Sequence, residues 1–147
     1  METTAQTQID PSKIMQVGTG FFATKTLLTA VNMELFTILA KRELSANEIQ
    51  SRLGLHARSL YDYLDALVAL GFLNRKGIKE SALYSNSEDA DFFLDKTKPS
   101  YIGGILEMCN NRLYPFWNNL EDGLKTGLPQ NEAKDGGQSP FEVIYAN

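Results

Sequence analysis

The chain has 147 residues, 43% of them hydrophobic and 22% charged, which is enough apolar material for one domain with a core of its own. Its formal net charge of -4 argues against a general affinity for polyanions. The single cysteine, Cys109, excludes an internal disulfide and suits a reducing compartment; beside Met108 on a helix it reads as packing.

The N-terminus is polar and lacks the basic-then-apolar pattern of a signal peptide. No apolar run approaches the roughly 20 residues of a membrane span, so the expectation is a cytoplasmic protein with no membrane partner. Residues 1–9 read as a flexible arm. Asp10-Pro11 reads as an N-cap with proline in the first turn. The spacing predicts a long helix after it, with Ile14, Val17, Phe21, Leu28, Val31 and Leu35 three and four residues apart. Phe22 and Leu27 extend the apolar surface onto a second face. A helix apolar on two faces needs two neighbours. Periodicity leaves open whether the second is a partner subunit or the chain's own core.

Ser45 and Glu48 form a capping-box pattern ahead of a short helix with Ile49 and Leu53 inward, ended by Gly54. A second helix places Leu60, Leu64, Leu67 and Val68 on one face and stops at Gly71. Phe72-Leu73 starts a strand, Arg75-Lys76-Gly77 reads as a turn, and Ala82-Leu83-Tyr84 reads as the return strand. Helix, glycine turn, helix and hairpin make a winged helix-turn-helix pattern inside a mainly α chain. A short helix around Phe92, Phe93 and Leu94 follows. Pro99 then opens a long helix carrying Ile102, Ile105, Leu106, Leu113, Phe116, Trp117, Leu120 and Leu124, capped by Gly127. The domain is thus expected over residues 10–128. Residues 129–147 read as a linker and the start of a further helix at Pro140; its few residues have little to pack on, so the chain reads as the front part of a longer protein.

No catalytic or metal constellation is legible. His56 is the only histidine, and its place at a helix start reads as surface or capping. Gly18, Gly20 and the pair Gly103-Gly104 lie in helical patterns and follow no strand, so they do not make a nucleotide turn. The winged pattern raises DNA binding. Its second helix carries Asp62 and Asp65 against Arg58, and the wing sets Glu80 beside Arg75, Lys76 and Lys79. That surface neutralises few phosphates, so no nucleic-acid partner is expected.

Taken together, six or more segments resemble, in order, the N-terminal dimerisation and winged-helix region of bacterial small-molecule O-methyltransferases that use S-adenosylmethionine. They are IMQVGTGFFATKTLLTAV at 14–31, LGLHAR at 53–58, DALVALGFL at 65–73, ADFFLD at 90–95, KPSYIGGILEM at 98–108, LKTGLPQ at 124–130 and PFEVIYA at 140–146. The resemblance implies a homodimer through Ile14, Val17, Phe21, Phe22, Leu28 and Val31. It also implies one wall of a pocket for a hydroxylated, phenolic-type acceptor, with Met108, Asn111, Arg112 and Trp117 on the pocket helix. The catalytic and cofactor-binding residues of such enzymes lie in a later domain. None is therefore expected in this chain, and S-adenosylmethionine is implied only for a full-length protein. Glu34 stands where the family commonly has glycine, at a break before Leu35-Phe36, and leaves that break unassigned. The alternatives are a stand-alone winged-helix regulator, a small-molecule-binding module, or an interaction protein that pairs with a full-length relative.

Overall fold

The computed structural model describes residues 9–135. The helix expected from Pro140 and most of the N-terminal arm lie outside the described residues. The fold is mainly helical with one small antiparallel sheet, as the sequence predicts.

The first long helix is three helices: α1 (Ser12–Gly18), α2 (Gly20–Asn32) and α3 (Leu35–Leu39). The apolar spacing runs through both breaks, which is why it conceals them. Asp10 Oδ1 accepts from the Ser12 amide at 3.0 Å and so starts α1. At the first break Thr19 bonds the Met15 carbonyl through both its amide and its hydroxyl, the latter at 2.7 Å, a back-bond that bends helices. At the second, Glu34 adopts the left-handed conformation, φ 57°. A side chain pays for that geometry in steric strain; here Lys96 Nζ holds the Glu34 carboxylate at 3.0 Å.

Strand β1 (Leu44–Ser45) leads directly into α4 (Ala46–Leu53). The capping box forms as expected: Ser45 Oγ accepts from the Glu48 amide at 3.3 Å, and Glu48 Oε2 accepts from the Ser45 amide at 2.9 Å. Gly54 ends α4 in the left-handed conformation, φ 64°. His56 then caps α5 (Ala57–Ala69), its Nδ1 accepting from the Arg58 amide at 3.2 Å. Strands β2 (Leu73–Lys76) and β3 (Leu83–Asn86) pair antiparallel, Leu73 opposite Asn86 and Lys76 opposite Leu83. Arg75 and Lys76, expected in the turn, belong to β2, because the pairing runs to Lys76 and the chain reverses through Gly77 and a short turn at Lys79–Ser81. Strand β1 pairs with the other edge of β3, an addition too short to leave a period-two pattern.

Next come α6 (Glu88–Leu94), α7 (Gly103–Met108), a π-helical turn at Cys109–Leu113, α8 (Tyr114–Trp117) and α9 (Leu120–Thr126). The helix expected from Pro99 begins four residues later. Residues 95–102 are held as a connector by Asp95, which is buried and accepts from the Thr97 amide at 3.0 Å, and by the Ile102 amide donating to the Phe93 carbonyl at 2.9 Å. The π turn precedes Pro115, which has no N–H for the Asn111 carbonyl and whose ring would clash with it. The wider turn, with the Tyr114 amide bonded to the Cys109 carbonyl, keeps the helical path past the proline.

The core gathers Leu35 and Phe36 of α3, Leu44, Ile49 of α4, Leu64 and Leu67 of α5, and Tyr84 of β3, all fully buried. The Tyr84 hydroxyl donates to Asp65 Oδ1 at 3.3 Å, so the hairpin is tied to α5 by a polar link as well as by packing.

Two measurements test this account. Gly54→Ala is expected to cost about 1–2 kcal/mol in urea denaturation, although an added Cβ meets open space at that position; a neutral substitution would contradict the left-handed cap. The capping-box hydrogen bonds from Ser45, followed by that from Arg42, hold the Glu48 carboxyl down to about 2, against an ordinary value of 4.5. Its contribution to stability is therefore complete above about pH 4.5 and lost as pH falls towards 2. Glu48→Gln is expected to flatten the pH dependence of stability in that window, read from melting temperatures between pH 2 and pH 6.

Candidate functional site

Among the apolar areas left uncovered on the described residues, two bear on the expected interface and pocket wall. The first is α1 with the start of α2. Ile14 is 75% exposed, Val17 76% and Phe22 64%, with Met15 and Phe21 also exposed. Phe21 and Phe22 lie against one another with ring centroids 4.2 Å apart. Beside them runs a groove of about 680 Å³ between α2 and the end of α5, bordered by Phe22 and Leu70 and lined by small residues, Gly20, Ala23, Ala66 and Ala69 among them. Of the six expected interface residues, Ile14, Val17, Phe21 and Phe22 stand on this surface. Leu28 and Val31 do not: both are buried within the chain itself. Their three-and-four spacing is shared with the exposed residues, but α2 is covered only along its later turns. The groove's alanines, Ala23, Ala66 and Ala69, escaped the sequence reading, although Gly20-Ala23 and Ala66-Ala69 are each three apart, the spacing of one helix face.

The second surface is the run from α7 to α9. Trp117, 67% exposed, borders a groove of about 340 Å³ with Leu113, Phe116, Leu120 and Leu128. The four residues expected on a pocket wall are not brought together. Met108 is exposed on the last turn of α7. Asn111 Nδ2 donates to Asn32 Oδ1 at 3.0 Å and so faces α2. Arg112 makes a two-pronged pair with Glu132, 2.6 and 3.3 Å, which holds the Glu132 carboxyl below its ordinary range. The π turn separates them: it shifts every later side chain around the axis relative to a regular helix, so sequence spacing no longer reports a shared face.

A polar chain fixes α7 to the break before α3. Lys96 Nζ lies 3.0 Å from Glu34 and 3.3 Å from Glu107, and the Tyr101 hydroxyl donates to Glu107 at 2.7 Å. Burial, then the bond to Glu107, pushes the Tyr101 hydroxyl up to about 12. The Tyr101 ring sits where a Cβ on Gly103 would be, 2.3 Å away, which explains glycine at the start of α7.

Two cations of the β2–β3 hairpin are paired. Arg75 pairs with Asp65 at 2.7 Å and Lys76 with Glu43 at 2.6 Å. Among the described residues no group of three His, Cys, Asp or Glu side chains can hold a metal ion, and no helix is long and apolar enough to cross a membrane. The described residues also do not fit an S-adenosylmethionine site. Gly18 and Gly20 flank a helix break, Gly103 and Gly104 follow a turn, and the strands that lead into helices do so through Ser45 and Ser87. No strand, glycine turn and α-helix occur in succession among them.

Comparison with known proteins follows this architecture. Residues 15–96 match the O-methyltransferase dimerisation domain. The tetracenomycin polyketide synthesis 8-O-methyl transferase TcmO of Streptomyces glaucescens is 40% identical over 126 residues, 86% of this chain and 36% of that protein. PigF with SAH superposes with a TM-score of 0.79 at 28% identity, over 95% of this chain and 40% of that one; PigF of Serratia is an S-adenosyl-L-methionine-dependent methyl transferase. Human N-acetylserotonin methyltransferase in complex with SAM superposes with a TM-score of 0.81 over 97% of this chain and 43% of that one, a likeness of fold alone at 21% identity. The chain spans 36% of the length of TcmO and of PigF. With its match to the dimerisation domain covering more than half its residues, and the helical fold around α2 shared with solved relatives, the chain belongs to the O-methyltransferase dimerisation domain family.

Proposed function

We propose that this chain is the homodimerisation region, and one wall of the acceptor pocket, of a cytoplasmic S-adenosylmethionine-dependent O-methyltransferase acting on small hydroxylated, phenolic-type molecules. The observation that carries the reading is the exposed apolar surface of α1 and early α2 beside the groove lined by small residues. An apolar patch of this kind marks an interaction surface, and small residues let a partner helix approach closely. The relatives support the chemistry: TcmO is an 8-O-methyl transferase and PigF uses S-adenosyl-L-methionine. The cofactor belongs to the proposed whole enzyme; the described residues supply surface and shape, and none is assigned a catalytic step.

In this reading the winged helix-turn-helix formed by α4, α5 and the β2–β3 hairpin is scaffold. The regulator alternative needs free cations on the wing, and Arg75 and Lys76 are each held by a carboxylate. The acceptor wall in this reading runs from the last turn of α7 through the π turn to α8. Met108 and Trp117 offer polarisable surface to an aromatic ring, while Asn111 and Arg112 must leave Asn32 and Glu132 to meet a hydroxyl.

Light scattering at micromolar concentration is expected to give twice the 16.4 kDa mass of the chain, through an interface on the order of 2,000 Å². A folded monomer under those conditions overturns the dimer. Phe22→Asp is expected to yield a folded monomer, whereas Leu28→Asp is expected to unfold the chain, because Leu28 is buried within it. Trp117 is the only tryptophan, so its emission reports the wall. Planar phenols are expected to quench it in the whole enzyme, less so in Met108→Ala; unchanged emission at saturating phenol removes this helix from the pocket.

A further inference from the structure

The groove bordered by Trp117 is lined by Leu113, Phe116 and Leu120 from the helical run and by Leu128 and Pro129 from the chain that follows α9. Gly123, also in its lining, contributes no side chain to fill it. The chain beyond is fastened beside this groove. Lys134 Nζ donates at 2.7 Å to Oε1 of Gln130, which itself lines the groove, and lies 3.9 Å from Asp122 of α9. Glu132 is paired with Arg112 of the π turn. The described residues therefore end at Asp135 in a short turn, Glu132–Asp135, tied to the elements that build the groove.

The sequence that continues from this turn has the pattern such a groove accepts. Ser139-Pro140-Phe141-Glu142 is a capping-box pattern with proline in the first turn, which predicts a helix start. On that helix Phe141, Ile144 and Tyr145 are three and four apart and share one face, with Val143 opposite. We propose that the face formed by Phe141, Ile144 and Tyr145 docks in the Trp117 groove, folding the segment after Asp135 back onto α8 and α9. An apolar helix face laid into an apolar groove is a common mode of recognition. The tether selects the occupant. Phe141 is six residues beyond Asp135, a reach of up to about 20 Å. A short flexible linker holds its segment at an effective concentration of about 1 mM, roughly a thousandfold above a second copy at micromolar concentration. Gly136 and Gly137 supply the flexibility. The proposal is independent of the dimer and of the acceptor reading. An indole has two faces, and Met108 and Asn111 do not line this groove.

The test uses the whole chain, in which the emission of Trp117 reports the groove. Phe141→Asp is expected to move that emission to longer wavelength and to increase its quenching by acrylamide, because the indole loses its cover. Val143→Asp, on the opposite face, is expected to leave both unchanged. In the unsubstituted chain with labelled isoleucine methyls, the Ile144 resonance assigned through Ile144→Leu, nuclear Overhauser contacts are expected between the Ile144 methyl and the Trp117 ring, and these persist on dilution. Unchanged emission in Phe141→Asp, or absence of the Ile144–Trp117 contact, overturns the docking. An equal change in Val143→Asp overturns the assigned face. Contacts found only between differently labelled chains and lost on dilution overturn the tethered occupant in favour of a second copy.

Discussion

Helix α2 has to serve two environments along one short axis, and the rest of the structure is arranged around that division. Its later turns, with Leu28, Ala30 and Val31, are buried inside the chain, while Phe21 and Phe22 at its start are in solvent. Helices α3, α5 and α7 and the π turn all pack against it. The break at Thr19 releases α1 from the axis of α2, and the break at Glu34 turns α3 into the core. A single straight helix over the same residues would carry Leu35 and Phe36 away from Ile49, Leu64 and Tyr84, with which they share the core.

Polar links hold the elements in register around that axis. Glu34, Lys96, Glu107 and Tyr101 connect the second break to α7, and Asp65 receives both Arg75 and Tyr84 from the hairpin. Exposed pairs of this type contribute little each, about 0–1 kcal/mol. Their value lies in geometry: Glu34–Lys96 joins the second break to a connector distant in the sequence, and the others tie neighbouring elements to one another. The same pairing neutralises Arg75 and Lys76 at the end of β2.

The run from α7 to α9 shows how one residue changes a surface. Pro115 removes a backbone donor inside a helical path, and the π turn before it accommodates the loss. Side chains on either side of the turn are then rotated out of the register that a regular helix would give. Trp117 joins Leu113, Phe116 and Leu128 around a groove, while Asn111 faces α2 and Arg112 reaches towards Glu132.

By itself the sequence determined what local chemistry determines. The capping box at Ser45 and Glu48, the left-handed glycines Gly54 and Gly127, the His56 cap and the apolar face of α5 were legible because each depends on residues within a few positions of one another. The order of its segments also carried the family. Tertiary structure decided that the first helix breaks at Thr19, that Glu34 breaks it without a glycine, which apolar residues are covered and which polar groups meet. Thr19 and Glu34 interrupt a periodicity that continues across them; Leu28 and Phe22 have similar patterns but opposite fates; β1 becomes a strand only because β3 lies beside it. The physical reason is common to all three. Periodicity records which side of a helix is apolar, but burial and pairing depend on a neighbour distant in the chain, and no local spacing encodes that neighbour's position.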